Sequence, residues 1–292
     1  MLVHRRSGEV LVTGAEGFMG SHVVRYLRGL GHSVLAVGRK QCDLTNSCEV
    51  DRLFRENLIH SVIHCASEKG FREVVQSSET FYSNLRMYEN LSVNHDGLLI
   101  SMGTGDEFDH SKSVLGVMEE DFGSRIPSSY YGFSKYVVAK LIGSKSRQVN
   151  LRMFNLFGLG ESSSRFITSS IIKVLKKEPI MVYKNIEMDF FYVGDLCSII
   201  EKYINGYISL GEVNYPRNLN LCYSEKRTVL DVASIINSVK DYKVPVQTKN
   251  YTGDLAHYSG DGSLLRSLGI DFIGLENGIK ETFELVEGEF KL

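Results

Sequence analysis

Tryptophan is absent from this chain, and proline occurs only four times in 292 residues. So few prolines, with no tract rich in Gly or Ser, leave no separable linker, and any second region is expected to pack on the first. The five cysteines, Cys42, Cys48, Cys65, Cys197 and Cys222, form neither a CxxC pair nor a Cys/His spacing of the zinc type. They read as reduced, mostly buried thiols, and no metal is expected. Charge of one sign is missing too: 33 Lys and Arg nearly cancel 35 Asp and Glu without a long run of either. That excludes a nucleic-acid groove and a polybasic membrane anchor. No apolar segment approaches the roughly 18 residues that cross a bilayer. The opening "MLVHRRSGEV" lacks the apolar stretch of a secretory signal, so the expectation is a cytoplasmic protein with no membrane partner.

What is present is a large apolar fraction, 43% of residues, enough for a sizeable core. Apolar runs of strand length alternate with helical periodicity through the first half. This is the sequence form of repeated βαβ units around a parallel sheet, an α/β fold. The strands are expected at Glu9–Gly14, Ser33–Gly38, Ser61–Ala66, Gly97–Gly103 and Val149–Asn155. The helices are expected at Gly17–Leu30, Glu49–Glu56, Glu79–Val93 and Tyr130–Ser144. Beyond Asn155 the pattern loosens, although "DFFYVGDLCSIIEKYI" and "NLNLCY" have the form of segments that return to the sheet.

Between the first strand and first helix, "VLVTGAEGFMGSHVVRYLRGLG" spaces Gly14, Gly17 and Gly20 three residues apart. A strand, a glycine turn and a helix N-terminus converge backbone N–H groups and the positive end of a helix dipole on an anion. Glycine lets the phosphate approach. Gly20, inside the helix, costs about 1 kcal/mol against alanine, so its place there implies close packing of helix on strand.

The form "TGAEGFMG", GxxGxxG after Thr13, resembles the dinucleotide loop of the extended short-chain dehydrogenase/reductase family. The resemblance implies a Rossmann-type doubly wound parallel sheet with a smaller, interwoven C-terminal α/β substrate domain. Residues 1–156 would form the dinucleotide-binding domain, with 188–206 and 218–223 returning to it and 157–292 forming the substrate-binding region. It also implies a nicotinamide cofactor lying on Gly14, Gly17, Phe18, Met19 and Gly20. At the end of the second strand an acid would bond the adenosine ribose, whereas a base would accept a 2′-phosphate. Gly38 stands at the acid's place with Arg39 and Lys40 after it, which favours NADP while leaving NAD possible. Asp43, with its neighbour Leu44, matches the adenine contact, and Cys65, Ala66 and Ser67 lie in "HCAS", the stretch whose backbone lines the cofactor.

In "SSYYGFSKYVVAK", Tyr131 and Lys135 stand four apart, one helical turn on one face. A nearby ammonium favours a phenolate and would lower the Tyr131 pKa, fitting it to exchange a proton with a substrate oxygen. The family adds a Ser or Thr at the end of the preceding strand, whose hydroxyl bonds the reacting oxygen. In "LLISMGTGDEFDH", the spacing from Phe108 assigns this role to Thr104, with Ser101 as the competitor that still belongs to the strand. Three further segments match the extended branch: "FYSNLRMYENL" with Asn84, read as a cofactor contact, "LRMFNLFGLGE" with Asn155, and "MDFFYVGDL". Met188 replaces the Arg that in the family pairs with a substrate diphosphate, so Asn155, Arg165 and Lys184 are taken as the substrate-binding candidates.

The extended branch acts mainly on nucleotide-activated sugars. Its dehydratases carry Asp and Glu directly after the catalytic Thr, whereas here Gly105 intervenes before Asp106 and Glu107; its epimerase-reductases use a Cys where Asp106 stands. Two reactions remain. "GTGDEFDH" is closer in form to the 4-ketoreductases, so the reading is NADPH-dependent reduction of a nucleotide-linked 4-keto-6-deoxysugar. The alternatives are an NAD-dependent 4-epimerase and a non-catalytic dinucleotide-binding regulator. A homodimer is expected through the helices at Glu79–Val93 and Tyr130–Ser144.

Overall fold

The computed structural model describes residues 8–68, 77–249 and 256–290. The first half alternates as β1 (Glu9–Thr13), α1 (Phe18–Gly29), β2 (Val34–Val37), α2 (Ser47–Glu56), β3 (Ile59–His64), α3 (Ser78–Asn94) and β4 (Leu98–Thr104). Next come β5 (Val114–Val117), α4 (Tyr130–Gly143), β6 (Gln148–Met153) and β7 (Leu156–Phe157). The remainder is α5 (Phe166–Leu175), β8 (Ile180–Val182), β9 (Phe191–Tyr192), α6 (Val193–Leu210), β10 (Asn218–Leu221), α7 (Val229–Ser238), β11 (Val246–Thr248), β12 (Tyr258–Gly260), α8 (Ser263–Ser267) and α9 (Gly274–Phe290).

Six strands form the central parallel sheet in the order β2-β1-β3-β4-β6-β10. In β1, Val12 sits opposite Ala36 on one side and Ile63 on the other. The strand order therefore reverses between β1 and β3, and a crevice opens past their carboxyl ends, where ligands bind in such sheets. Val10, Leu11 and Val12 are all fully buried, because helices cover both faces of a parallel sheet. One core joins Leu11, Val62 and Leu99 to Val50 of α2, Leu91 of α3 and Ile142 of α4. Each such side chain contributes about 1.5–3 kcal/mol by leaving water.

Several boundaries differ from those read in the sequence, each for a local reason. β1 stops before Gly14, which turns the chain at φ +63°. β3 starts at Ile59, paired with Glu9, and stops at His64, two residues early at each end. α2 starts at Ser47 rather than Glu49 because Asn46 Oδ1 accepts hydrogen bonds from the N–H groups of Cys48 and Glu49, at 3.1 and 3.4 Å. Thr104 is the last residue of β4 instead of lying one past it.

The chain divides into two compact units. One takes the described residues up to Ser111 with Phe122–Arg152 and Cys197–Leu219; the other takes Lys112–Asp121, Met153–Leu196 and the described residues from Asn220 onward. The segment Lys112–Asp121, expected with the first region, joins the second because β5 pairs with β12, with Val114 opposite Tyr258. The second unit also holds the pairs β7–β9 and β8–β11. Residues 188–206 and 218–223, expected to return whole to the first region, are split after Leu196 and after Leu219.

Candidate active site

The glycine turn is built by contacts that only glycine permits. A Cβ on Gly14 would lie 2.7 Å from the Ala66 nitrogen, and one on Gly20 would lie 2.2 Å from the Gly14 carbonyl oxygen. Sequence periodicity alone showed the second of these glycines as a packing residue, and the structure gives its partner. Gly17 precedes α1 as an N-cap without a side-chain hydrogen bond, so the first N–H groups of the helix stay available to an anion. Phe18 and Met19 open the helix, half-buried, with the Phe18 ring edge-on to His22 at 5.5 Å. Behind the turn, the Thr13 hydroxyl accepts from the Ala66 N–H at 3.3 Å and shares a 2.9 Å hydrogen bond with His64 Nδ1. His64 is held neutral, its pKa pushed down to about 3 by burial and by Lys135.

A cleft of about 600 Å³ opens beside Gly14. Of the residues expected around a dinucleotide, Gly14, Arg39, Asp43, Leu44, Ala66 and Ser67 line it. Cys65 is half-buried, and desolvation raises the pKa of its thiol to about 12, so it stays a neutral thiol. Thr45, Glu68 and the Thr80, Ser83 and Met87 face of α3 also line it. Sequence reasoning missed these; the i, i+3, i+7 spacing of the last three was the available signal. A glycine cradle, free helix N–H groups and a cleft of this size fit an extended phosphate-bearing dinucleotide.

Charge near the mouth of the cleft is mixed. Arg39 pairs with Glu68, its side chain 81% exposed, so solvent screens the pair and makes it weak. Glu16 leans over the β2 end, its Cδ 2.8 Å from where a Gly38 Cβ would be. Asp43 accepts from the Thr45 N–H at 2.9 Å and from the Thr45 hydroxyl at 2.8 Å, which lowers its pKa.

Asn84, expected to face the cofactor, has its polar atoms engaged within the chain. Its Nδ2 donates to the Glu68 carbonyl at 3.0 Å and to Ser134 Oγ at 3.1 Å, and its Oδ1 accepts from the Glu68 N–H at 2.8 Å and Ser67 Oγ at 3.2 Å.

Thr104, Tyr131 and Lys135 all lie in the first unit. Thr104 ends β4, and its hydroxyl caps a single 3₁₀ turn, Gly105–Phe108, accepting from the Asp106 N–H at 3.3 Å. Tyr131 is in the first turn of α4, which Ser129 caps through the Gly132 N–H at 3.0 Å. The side chains of Thr104 and Ser67 are near enough to the Tyr131 hydroxyl to lower its pKa. Lys135 is buried, donates from Nζ to the Met102 carbonyl at 3.0 Å, and lies 5.9 Å from the Tyr131 ring centre.

The pKa of Tyr131 moves opposite to the sequence expectation. Burial raises it first, then the charges of Asp106 and Glu107, and these outweigh the lowering by Thr104 and Ser67. Its phenol therefore stays protonated through the neutral range. Asp106 in turn pairs with His110 at 3.2 Å.

Under the turn lies a buried ionic frame that the sequence did not reveal. Glu107 and Arg152 are both fully buried; Arg152 Nε donates to Glu107 Oε2 at 2.8 Å. The guanidinium sits between the rings of Phe108 and Phe122, at 4.8 and 5.1 Å. Arg152 was visible in "LRMFN" only as part of a motif.

The second unit holds the other candidates. Arg165 Nη2 donates to Asn155 Oδ1 at 3.1 Å and its Nε to Glu161 at 3.1 Å, so two of the three expected substrate residues meet. Lys184 is half-buried, two residues beyond β8. Asn155 Nδ2 also donates to the carbonyl of Asp189, a buried residue whose carboxylate takes 2.9 Å bonds from Lys226 and a 2.8 Å bond from the Gly260 N–H. Neither Asp189 nor Lys226 was singled out in the sequence.

A reversed-order parallel sheet, a glycine cradle and a Thr, Tyr and Lys set define a nicotinamide dinucleotide-dependent oxidoreductase of the Rossmann type. The comparisons with known proteins agree. Residues 10–212 match the model of the NAD dependent epimerase/dehydratase family, and the chain belongs to that family. Among characterised relatives, dTDP-4-dehydro-6-deoxy-D-allose reductase of Streptomyces sp is 28% identical over 79% of this chain and 80% of its own. GDP-6-deoxy-D-talose 4-dehydrogenase of Aggregatibacter actinomycetemcomitans is 23% identical over 90% and 92%. The structure of a GDP-mannoheptose C4 reductase from Campylobacter jejuni with NADP bound shares the fold at TM-score 0.81, with 18% identity, over 96% of this chain and 98% of that one. The chain is thus similar to enzymes of nucleotide-sugar metabolism. No described helix is long and apolar enough to cross a membrane.

Proposed function

We propose that this chain reduces the keto group of a nucleotide-linked 4-keto-6-deoxysugar with NADPH. The observation that supports it is the placing of Thr104, Tyr131 and Lys135 together, Lys135 lying 5.9 Å from the Tyr131 ring centre: a neutral phenol there can give a proton to a carbonyl oxygen being reduced. The reductase names of the Streptomyces and Campylobacter proteins support the same chemistry. When bound, the reduced nicotinamide supplies hydride.

The chain's own residues do the rest. Gly14, Gly17 and the first turn of α1 hold the pyrophosphate, and Leu44, Ala66 and Ser67 the adenosine side of the cleft. Arg39, which pairs with Glu68 in this structure, receives a 2′-phosphate instead. Lys135, fixed by the Met102 carbonyl, holds the nicotinamide ribose. Thr104 and Tyr131 bond the C4 oxygen, and Tyr131 gives it a proton. Asn155, Arg165 and Lys184 are the residues proposed to bind the substrate. Exposed Tyr82 and Val93 on α3, with Phe133 and Leu141 on α4, support a homodimer built on these helices.

The test is incubation with NADPH and a panel of nucleotide-linked 4-keto-6-deoxysugars, followed at the absorbance of the reduced nicotinamide. Oxidation by a panel member, abolished by Tyr131→Phe with NADPH binding retained, is the expected result. Interconversion of 4-hydroxyl sugars without net cofactor change would make the chain a 4-epimerase instead.

A further inference from the structure

Glu107 makes bonds on two sides. On the near side, Oε1 accepts from the backbone N–H of Thr104 at 3.0 Å; on the far side, Oε2 accepts from Asn150 Nδ2 at 3.0 Å and Arg152 Nε at 2.8 Å. All three partners come from the central sheet, Thr104 at the end of β4 and Asn150 and Arg152 from β6. Gly103 leaves room for this: a Cβ there would fall 2.3 Å from Asn150 Oδ1 and 2.5 Å from Glu107 Oε1. A fully buried carboxylate is costly unless it is paired and fully hydrogen-bonded. Here the guanidinium pairs it, and the rings of Phe108 and Phe122 hold the guanidinium in turn.

We propose that Glu107 is a positioning residue that acts on the reaction through Thr104. It anchors the end of β4 and the 3₁₀ turn to β6, and so fixes where the Thr104 hydroxyl meets the substrate oxygen. This rests on the reading of Thr104 as a ligand of that oxygen. The carboxylate is chosen for its chemistry: it only accepts, and every group around it donates. An amide in its place has one accepting and one donating end. Whichever way it lies, either the Thr104 N–H or the Arg152 and Asn150 pair then faces another donor.

The test is a double-mutant cycle on the full chain with Thr104→Ala, Glu107→Gln and the two combined. Turnover is measured with NADPH and dTDP-4-keto-6-deoxyglucose, and NADPH binding by fluorescence. Glu107→Gln should lower kcat by about 10- to 100-fold with KM and NADPH affinity within about threefold, and add nothing further on the Thr104→Ala background. Effects that multiply in the double mutant, or a Glu107→Gln enzyme within about twofold of the wild type, would overturn the proposal. So would a shifted alkaline limb of the pH profile with an unchanged plateau, since Glu107 would then act by its charge on Tyr131. Where Glu107→Gln fails to fold, Asn150→Ala removes one far-side donor and should lower kcat in the same direction by less. A second readout needs no substrate: amide exchange at Thr104 should quicken at least tenfold in Glu107→Gln, and an unchanged rate overturns the inference. If that sugar is not turned over, the substrate reading fails alone and the exchange rate decides. If Thr104→Ala leaves turnover intact, the role of Thr104 fails first and this inference with it.

Discussion

Asn84 Nδ2 donates to Ser134 Oγ at 3.1 Å, and that hydroxyl donates on to the Tyr131 carbonyl at 2.7 Å. The same amide holds the N–H and carbonyl of Glu68. One side chain of α3 thereby ties a wall of the cleft to the first turn of α4, which carries Tyr131.

Replacing Asn84 with Ala should therefore weaken cofactor binding from a distance. It leaves several buried partners without a bond, at about 1–3 kcal/mol. A fall in NADPH affinity of about tenfold is expected in a fluorescence titration, with a lower melting temperature. An unchanged affinity would show that residues 67–68 are held by something else.

His64 makes stability depend on pH. Unfolded, a histidine takes a proton near 6.5; folded, His64 takes one only near 3, because burial and then Lys135 oppose the charge. Its contribution is whole above about pH 6.5 and is lost as the pH falls toward 3, by about 1.4 kcal/mol per pH unit. His64→Asn should flatten that slope. Urea unfolding of both proteins at about pH 7.5 and about pH 5 measures it, and equal slopes would contradict the assignment.

The proposed choice of NADPH rests on Arg39, near which Glu16 leans over Gly38. Arg39→Ala should weaken NADPH binding by about tenfold, the value of one charge-assisted contact, and leave NADH within about twofold. Glu16→Gln removes a carboxylate leaning over Gly38 and should tighten NADPH severalfold. Titration of each variant with both nucleotides decides; equal losses of the two after Arg39→Ala would remove the 2′-phosphate reading.

Gly20→Ala places a methyl 2.2 Å from the Gly14 carbonyl oxygen, a backbone atom that moves only with the turn. Destabilisation of about 1–3 kcal/mol is expected from such overpacking, with loss of cofactor binding as the cradle shifts. A normal melting curve with normal binding would mean that α1 can move off the turn without consequence.

The cradle was legible in the sequence because its chemistry is local: strand, glycine turn and helix are contiguous, and Tyr131 and Lys135 are one turn apart. Glu107 and Arg152 were not, since their meeting across 45 residues depends on β4 and β6 lying side by side. The direction of the Tyr131 pKa was misread for the same reason. Sequence spacing displayed Lys135, whereas the burial of Tyr131 and its closeness to the charges of Asp106 and Glu107 come from folding. Likewise Asn84 showed as a polar residue on a helix, and only the structure reveals that its bonds run to Glu68 and Ser134. In the second unit, where β8, β9 and β11 are two or three residues long, periodicity had little to act on.

The most direct measurement follows the hydride. With NADPH deuterated at the transferable position and a nucleotide-linked 4-keto-6-deoxysugar, the product examined by NMR should carry deuterium at C4. One NADP⁺ should form per sugar reduced. A 4-hydroxyl sugar epimerised with no deuterium incorporated and no NADPH consumed would contradict the account.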